Sequence, residues 1–158
     1  MKEKIKSVSL DGALILILSV IFLFSGADKA FHYEGFVNAL RNYVLVPRGT
    51  APYLAMPVIA VELLVGAGLL LKRHRAAAAL AAAALLSLFS LAVGFNHLYG
   101  ARGICGCWFT ITLAKGTGMH LAQNLLLAAI ALVVWWEARP AAGKAPDNKL
   151  SLELSGLS

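Results

Sequence analysis

Charged residues are scarce in this sequence, and cysteines are scarcer still. Lys, Arg, Asp and Glu make up 14% of the 158 residues and 59% are hydrophobic, whereas about 25% of a soluble globular protein is charged. This balance excludes an ordinary water-soluble domain and a disordered chain. Two cysteines are too few for a disulfide scaffold. The net charge of +6 would suggest nucleic acid binding in a soluble chain, but basic residues flank the spans of membrane proteins, so no nucleic acid partner is predicted.

Four long stretches carry almost no charge, at residues 12–27 (extended back by 8–10), 49–71, 76–101 and 116–136. Crossing about 30 Å of hydrocarbon takes roughly 20 apolar residues in a helix, and helices satisfy their backbone hydrogen bonds inside lipid. The sequence therefore predicts an all-α, integral membrane four-helix bundle within residues 1–137. Residues 138–158, rich in Ala, Gly, Lys, Asn and Ser, are predicted to be a disordered cytoplasmic tail.

The first stretch has a second interpretation. Three N-terminal lysines precede the apolar run, and three small residues, Ser25, Gly26 and Ala27, end it. This is also the pattern of a secretory signal peptide with its cleavage site. The length of the run and the Asp28-Lys29 pair that follows favour an uncleaved helix. The N-terminus begins in the cytoplasm in either case.

Basic residues indicate the orientation of the bundle, because Lys and Arg are retained on the cytoplasmic side. With the N-terminus inside, nine of them are cytoplasmic and five are not, which favours cytoplasmic N- and C-termini. The inner nine are Lys2, Lys4, Lys6, Lys72, Arg73, Arg75, Arg139, Lys144 and Lys149, and the outer five are Lys29, Arg41, Arg48, Arg102 and Lys115.

A short amphipathic helix is predicted between the first two spans. The apolar residues of this segment recur at helical spacing, with polar residues on the other faces. They are Phe36, Val37, Leu40, Tyr43 and Val44. Such a helix lies in the membrane interface with its apolar face among the lipid headgroups. We expect it on the outer membrane surface.

Polar residues converge at the outer end of the predicted bundle. Lys29 ends the first span, His97 ends the third, and His120 begins the fourth, with Asn124 one turn further along the same face. The cytoplasmic half has no comparable set. Polar groups at membrane depth are costly, so they face a cavity or pair with each other. For the two His residues, interfacial hydrogen bonding is favoured over ligation of a metal ion or a haem.

Glu62 lies midway along the second span. An ionised carboxylate there costs about 2.5 to 3.5 kcal/mol or more, so it must be protonated or partnered. The functional hypothesis is a proton carrier or a counter-charge for Lys29. The structural hypothesis is a hydrogen bond between helices, to Ser87 or Ser90, that fixes their packing.

Cys105 and Cys107 lie in the outer loop after the third span, separated by Gly106. A disulfide between them would close a very small ring, which glycine makes accessible, and strain in that ring would make the bond easier to reduce. A nearby Lys or His would favour the reactive thiolate. Thiol–disulfide exchange is the main hypothesis. The alternatives are an inert structural disulfide and Cu(I) binding completed by Met119 and His120.

The cysteine count also limits the route of electrons. This sequence has no cysteine in its cytoplasmic half, so cysteines alone cannot carry electrons inward. The pair could exchange a disulfide with an extracytoplasmic partner and pass electrons to a membrane quinone or to a second periplasmic protein. The residues themselves do not fix a cofactor.

Several segments resemble the MauE branch of the DoxX-like membrane proteins. The resemblance covers about residues 8–136, and the Cys-Gly-Cys motif is its most specific part. This chain departs from the family pattern after Cys107, where Trp108-Phe109 stands in place of Phe-Gly. The similar segments are 24–29, 36–40, 43–47, 62–66, 69–71 and 105–109, with His120 and Asn124.

The resemblance implies an inner-membrane four-helix protein of bacteria that helps mature the light subunit of methylamine dehydrogenase. The many disulfides of that subunit need a periplasmic thioredoxin-like partner, MauD. On this basis Cys105 and Cys107 would shuttle between dithiol and disulfide with such a partner. Lys29 would favour the thiolate, His97 and His120 would move protons, and Glu62 would hold the bundle or relay a proton.

Overall fold

The computed structural model describes residues 2–99 and 117–139, and side chains from residue 12 onward in the first range and from 118 onward in the second. These residues form five α-helices and, within those ranges, no strand. The helices are α1 (Lys2–Phe31), α2 (Tyr33–Arg41), α3 (Ala51–Leu70), α4 (Arg75–Leu98) and α5 (Thr117–Ala138). The prediction of an all-α fold is confirmed. The predicted tail lies outside the described residues except for Ala138, which ends α5, and Arg139.

Four of these helices are long and apolar enough to cross a membrane, as predicted. The segments are Gly12–Phe31, Ala51–Leu70, Arg75–Leu98 and Gly118–Ala138. Each lies within a few residues of the stretch expected from the sequence. Successive long helices run in opposite directions. α1 and α4 therefore end, and α3 and α5 begin, at one end of the bundle, which we call the polar end. α3 and α5 end, and α4 begins, at the opposite end, which we call the basic end.

α1 and α3 approach closely through small residues. A Cβ added at Gly66 would lie 2.7 Å from Cγ of Leu23, and one at Gly26 would lie 2.9 Å from Cδ2 of Leu63. A side chain at Gly26 would displace the Leu63 side chain, and one at Gly66 would also press on the backbone of α1 at Leu23. The buried Ser19 Oγ donates a 2.7 Å hydrogen bond to the Gly66 carbonyl oxygen across the same contact. Close packing by small residues therefore sets the register of α1 on α3.

α4 and α5 meet through an alanine face on α4. Ala78, Ala79, Ala82 and Ala83 are buried in one core cluster with Ala128, Ala131 and Val134 of α5. Small side chains allow the helix backbones to come close together. This close contact lies inside the chain's own bundle. Residues of α1 and α3, such as Leu18 and Leu69, complete the same apolar cluster.

The amphipathic helix between the first two spans is present as α2, but the expected position of its apolar face is wrong. Phe36 is 7% exposed and Val37 is 1% exposed. Both side chains pack in a second cluster with Ala51, Ala55 and Ile59 of α3. The Tyr33 hydroxyl also donates a 3.0 Å hydrogen bond to the Pro52 carbonyl oxygen. α3 offers an apolar face on its first three turns, so α2 buries its own face there rather than among lipid headgroups.

Candidate functional site

The buried polar side chains are concentrated toward one end of the bundle. All but one of those in the described residues lie between the middle of the bundle and the polar end, and Ser19 is the exception. The apolar core cluster fills the other half. The asymmetry predicted from the sequence is therefore present in the described part of the chain. The set comprises Lys29, Glu62, Ser90, Asn96, His120 and Asn124.

The strongest polar contact in this set is an ion pair between α1 and α3. Lys29 Nζ lies 3.0 Å from both carboxylate oxygens of Glu62. The two side chains are 5% and 2% exposed. Of the hypotheses for Glu62, the counter-charge for Lys29 is the one observed. An ion pair this deeply buried attracts strongly but costs much to desolvate, so it is sensitive to loss of either partner.

A hydroxyl group completes this ion pair. Ser25 lies one helical turn before Lys29 and accepts a hydrogen bond from Lys29 Nζ. Its Oγ also donates to Glu62 Oε2 at 3.3 Å. The half-buried hydroxyl thus links the buried ammonium to the buried carboxylate. α1 runs without a break through Ser25 and Lys29, so residues on both sides of the alternative cleavage site contact the same carboxylate.

α2 covers this ion pair from the polar end. The centroid of the Phe36 ring lies 5.6 Å from Lys29 Nζ, within the range of a cation–π contact. Phe36 is itself packed against α3. The ammonium is therefore enclosed by α1, α3 and the aromatic face of α2, which limits access of water to the pair from this direction.

Asn96 fastens the loop after α2 to the end of α4. Its Oδ1 accepts a 2.8 Å hydrogen bond from the backbone N–H of Val44. Its Nδ2 donates to the carbonyl oxygen of Asn42 at 3.2 Å. Both backbone groups are far from Asn96 in sequence. The Asn96 side chain therefore holds the loop that follows α2 against the end of α4.

We expect Asn96→Ala to loosen this loop without unfolding the bundle. Loss of both hydrogen bonds, each contributing about 1 kcal/mol, should raise the hydrogen-exchange rate of the Val44 amide by roughly tenfold or more. Exchange within α4 and α5 should change little. Asn38→Ala is the matched control, because the exposed Asn38 accepts only a local bond from Arg41. Unchanged Val44 exchange in Asn96→Ala would contradict the fastening role.

The two predicted histidines occupy different environments. His97 is exposed on α4, next to the buried Asn96. His120 on α5 is 7% exposed, and the described residues supply no hydrogen-bond partner for its Nδ1. Asn124 lies one turn further along α5 and is also buried.

The predicted cysteines lie in the part of the chain that the structure leaves undescribed. Cys105 and Cys107 belong to the connection between Tyr99 and Thr117, both of which are at the polar end. Within the described ranges, no cluster of three or more His, Cys, Asp or Glu side chains could hold a metal ion. Met119 is exposed while His120 is buried, so these two proposed Cu(I) ligands leave α5 on different sides.

Sequence reasoning missed Ser25 and the partners of Asn96. Ser25 was detectable in principle, since it lies at the i−4 position of Lys29 and such residues share a helix face. The bonds from Asn96 to the backbone at Asn42 and Val44 carry no sequence signal, because any residue except proline offers the same N–H and carbonyl groups.

Comparison with known proteins identifies the family. The family model described as methylamine utilisation protein MauE matches residues 7–137. The chain belongs to the MauE family. Its MauE relatives include "Methylamine utilization protein MauE" of Paracoccus denitrificans, 32% identical over 77% of this chain and 66% of the relative, and that of Paracoccus versutus, 35% identical over 84% and 72%.

A third MauE relative, from Methylophilus methylotrophus, is 31% identical over 90% of this chain and 70% of its own length. The chain thus spans just under two thirds of the length of the Paracoccus denitrificans MauE protein. No solved structure matches the chain. The MauE resemblance seen in the sequence is confirmed, while the wider DoxX-like relationship stays a prediction.

Proposed function

We propose that this chain is an accessory membrane protein of methylamine utilisation that exchanges electrons with a thioredoxin-fold partner through Cys105 and Cys107. The partner would resemble MauD, and the pair would support disulfide formation in a periplasmic protein such as methylamine dehydrogenase. Membership of the MauE family, with a match that includes both cysteines, is the observation that carries this proposal. The relatives are named for methylamine utilisation.

The chemistry is a reversible exchange of one disulfide for another. A thiolate of one protein attacks the disulfide of the other and forms a mixed disulfide, which the second thiol then resolves. The protein that receives the two electrons and two protons ends as a dithiol, and the other ends as a disulfide. Two cysteines separated by one glycine suit this role, because a strained small ring is readily reduced.

The polar end offers groups that would serve such an exchange. The connection that carries the cysteines begins and ends there. Lys29 would favour the thiolate electrostatically, His97 and His120 would exchange protons with the thiols, and Glu62 would hold Lys29 in place. In the proposed orientation this end faces the periplasm of a bacterial inner membrane and both termini are cytoplasmic. Electrons would leave to a membrane quinone or to a second periplasmic protein.

The redox state of the cysteine pair tests this proposal directly. The full chain in native membranes is quenched with acid and mass-tagged with maleimide, before and after addition of a reduced or an oxidised thioredoxin-fold protein. We expect the tagged fraction to rise with the reduced partner and to fall with the oxidised one. A partner whose cysteines are replaced by serine is the control. If the tagged fraction changes with neither form of the partner, the result would contradict exchange and favour a structural disulfide or a bound metal.

A further inference from the structure

The loop between α2 and α3 lies against the end of α4. Its backbone at Asn42 and Val44 is hydrogen-bonded to the side chain of Asn96, which is buried in the last turn of α4. Tyr43, between the two bonded positions, is also buried. Tyr99 follows Asn96 by three positions and so lies on the same side of α4. Because α2 packs on α3, the loop joins two helices at the polar end, and Tyr99 lies beside it.

Hydrogen bonds within this loop fix its shape. The backbone N–H of Val46 donates to the carbonyl oxygen of Tyr43 at 3.1 Å. The backbone N–H and Oγ1 of Thr50 both donate to the carbonyl oxygen of Pro47, at 3.1 and 2.8 Å. Gly49 has a φ of +88°, which glycine adopts without steric cost. A loop that is already ordered loses little further entropy when a partner binds.

The exposed side chains of this region are apolar, aromatic and cationic. Val44 and Leu45 are each 53% exposed, and Tyr99 is 68% exposed. The loop contains no acidic residue, and the arginines beside it and within it are both exposed. Tyrosine and arginine are enriched in protein–protein interfaces. We call this set the loop surface, and it comprises Arg41, Val44, Leu45, Arg48 and Tyr99.

The cysteine pair is tethered close to the loop surface. Cys105 is six positions beyond Tyr99, and an extended chain spans at most about 3.6 Å per residue. Cys105 is therefore tethered within about 22 Å of Tyr99. A domain of about 100 residues has a radius of gyration of about 13 Å, so such a domain is wider than this tether is long. A partner of that size that reaches Cys105 also comes within reach of the loop surface.

We propose that the loop surface is the docking site of the thioredoxin-fold partner. The contacting face of the partner carries acidic side chains for the two arginines and apolar side chains for Val44, Leu45 and Tyr99. The charges speed the encounter, and the apolar contacts slow dissociation. This inference rests on the proposed function, which requires a partner at the cysteines. The loop surface contains neither cysteine, so it can be altered without changing the reacting thiols.

Binding without disulfide exchange tests this docking site. The full chain is reconstituted in lipid nanodiscs, which leave both membrane faces accessible. It is titrated with a MauD-like thioredoxin-fold protein whose active-site cysteines are replaced by serine. We expect Val44→Ser with Leu45→Ser to weaken binding by about tenfold or more. Arg41→Gln with Arg48→Gln should weaken binding at low salt and remove most of its salt dependence.

Matched controls lie at the basic end. Leu70→Ser with Leu71→Ser removes two exposed apolar side chains, and Lys72→Gln with Arg73→Gln removes two exposed charges. Both should leave binding unchanged. The amide of residue 44 should keep its slow hydrogen exchange in all variants, because its bond to Asn96 uses only the backbone on the loop side. This measurement shows that the altered loop is still folded.

The outcomes separate the docking site from the proposed function. No binding to the unsubstituted chain would overturn the docking site. Equal affinity of the loop variants and the controls would also overturn it, and would indicate that Val44 and Leu45 contact lipid headgroups instead. If the serine-substituted partner binds through the loop surface but the intact partner leaves the redox state of Cys105 and Cys107 unchanged, the docking site stands and disulfide exchange is refuted.

Discussion

Lys29→Met is expected to destabilise the bundle by about 3 to 5 kcal/mol, since it leaves the Glu62 carboxylate buried without its ammonium. The pair is almost fully enclosed and its two carboxylate contacts are both 3.0 Å long. Glu62→Leu should have a similar effect, because it leaves the Lys29 ammonium buried without its carboxylate. Urea unfolding of the purified full chain in detergent, followed by tryptophan emission, measures the change in midpoint. Lys72→Met, which removes an exposed charge, should change the midpoint of urea unfolding little.

The double variant separates stability from chemistry. Lys29→Met with Glu62→Leu replaces the ion pair by apolar side chains of similar size, which is often neutral or stabilising in a protein interior. We therefore expect it to recover most of the stability lost in either single variant. If the recovered protein still exchanges disulfides at the normal rate, Lys29 and Glu62 are structural. A stable double variant with slow exchange assigns them a role in the reaction.

Cys105→Ser and Cys107→Ser are each expected to abolish disulfide formation in the client protein while leaving membrane insertion unchanged. A single thiol cannot close the intramolecular disulfide that receives or donates the electron pair. The measurement is the redox state of the client's cysteines in cells that carry each variant, with membrane-fraction abundance as the check on insertion. Thr110→Ser, in the same connection, is the matched control.

The two cysteine variants should also differ from each other. The variant that retains the attacking cysteine accumulates a mixed disulfide with the partner, because the resolving thiol is missing. The other variant does not. Non-reducing electrophoresis after addition of the oxidised partner, whose intact disulfide the retained thiolate attacks with release of one partner thiol, identifies the two roles. Normal client disulfides in either variant would refute the proposed exchange.

Much of the bundle follows from the sequence because membrane helices are encoded locally. The absence of charge over some 20 residues specifies each span, and the ends of the four long helices agree closely with this expectation. The pairing of Lys29 with Glu62 was one of the options open from the sequence, since a carboxylate in lipid needs a partner. The choice between Lys29 and the serines of α4 required the packing of α1 on α3, which depends on the close approach at Gly26 and Gly66.

The position of α2 could not be predicted from its own residues. Its apolar face suits lipid headgroups and a neighbouring helix equally well, because the hydrophobic effect is not directional. The first three turns of α3, with Ala51 and Ala55, provide a surface that α2 fits. Where α2 packs thus depends on the shape of α3. The hydrogen bonds that hold the loop after α2 likewise depend on a distant residue, Asn96 of α4.

The ion pair between α1 and α3 has a consequence for biosynthesis. Lys29 lies close to the end of α1, where its long side chain can reach the membrane surface while α1 is alone in the bilayer. Glu62 lies in the middle of α3, where a lone carboxylate is costly to insert. Because α1 leaves the ribosome first, α3 enters a membrane that already contains its counter-charge. We therefore expect the insertion of α3 to depend on α1, so that the order of synthesis helps to assemble the bundle.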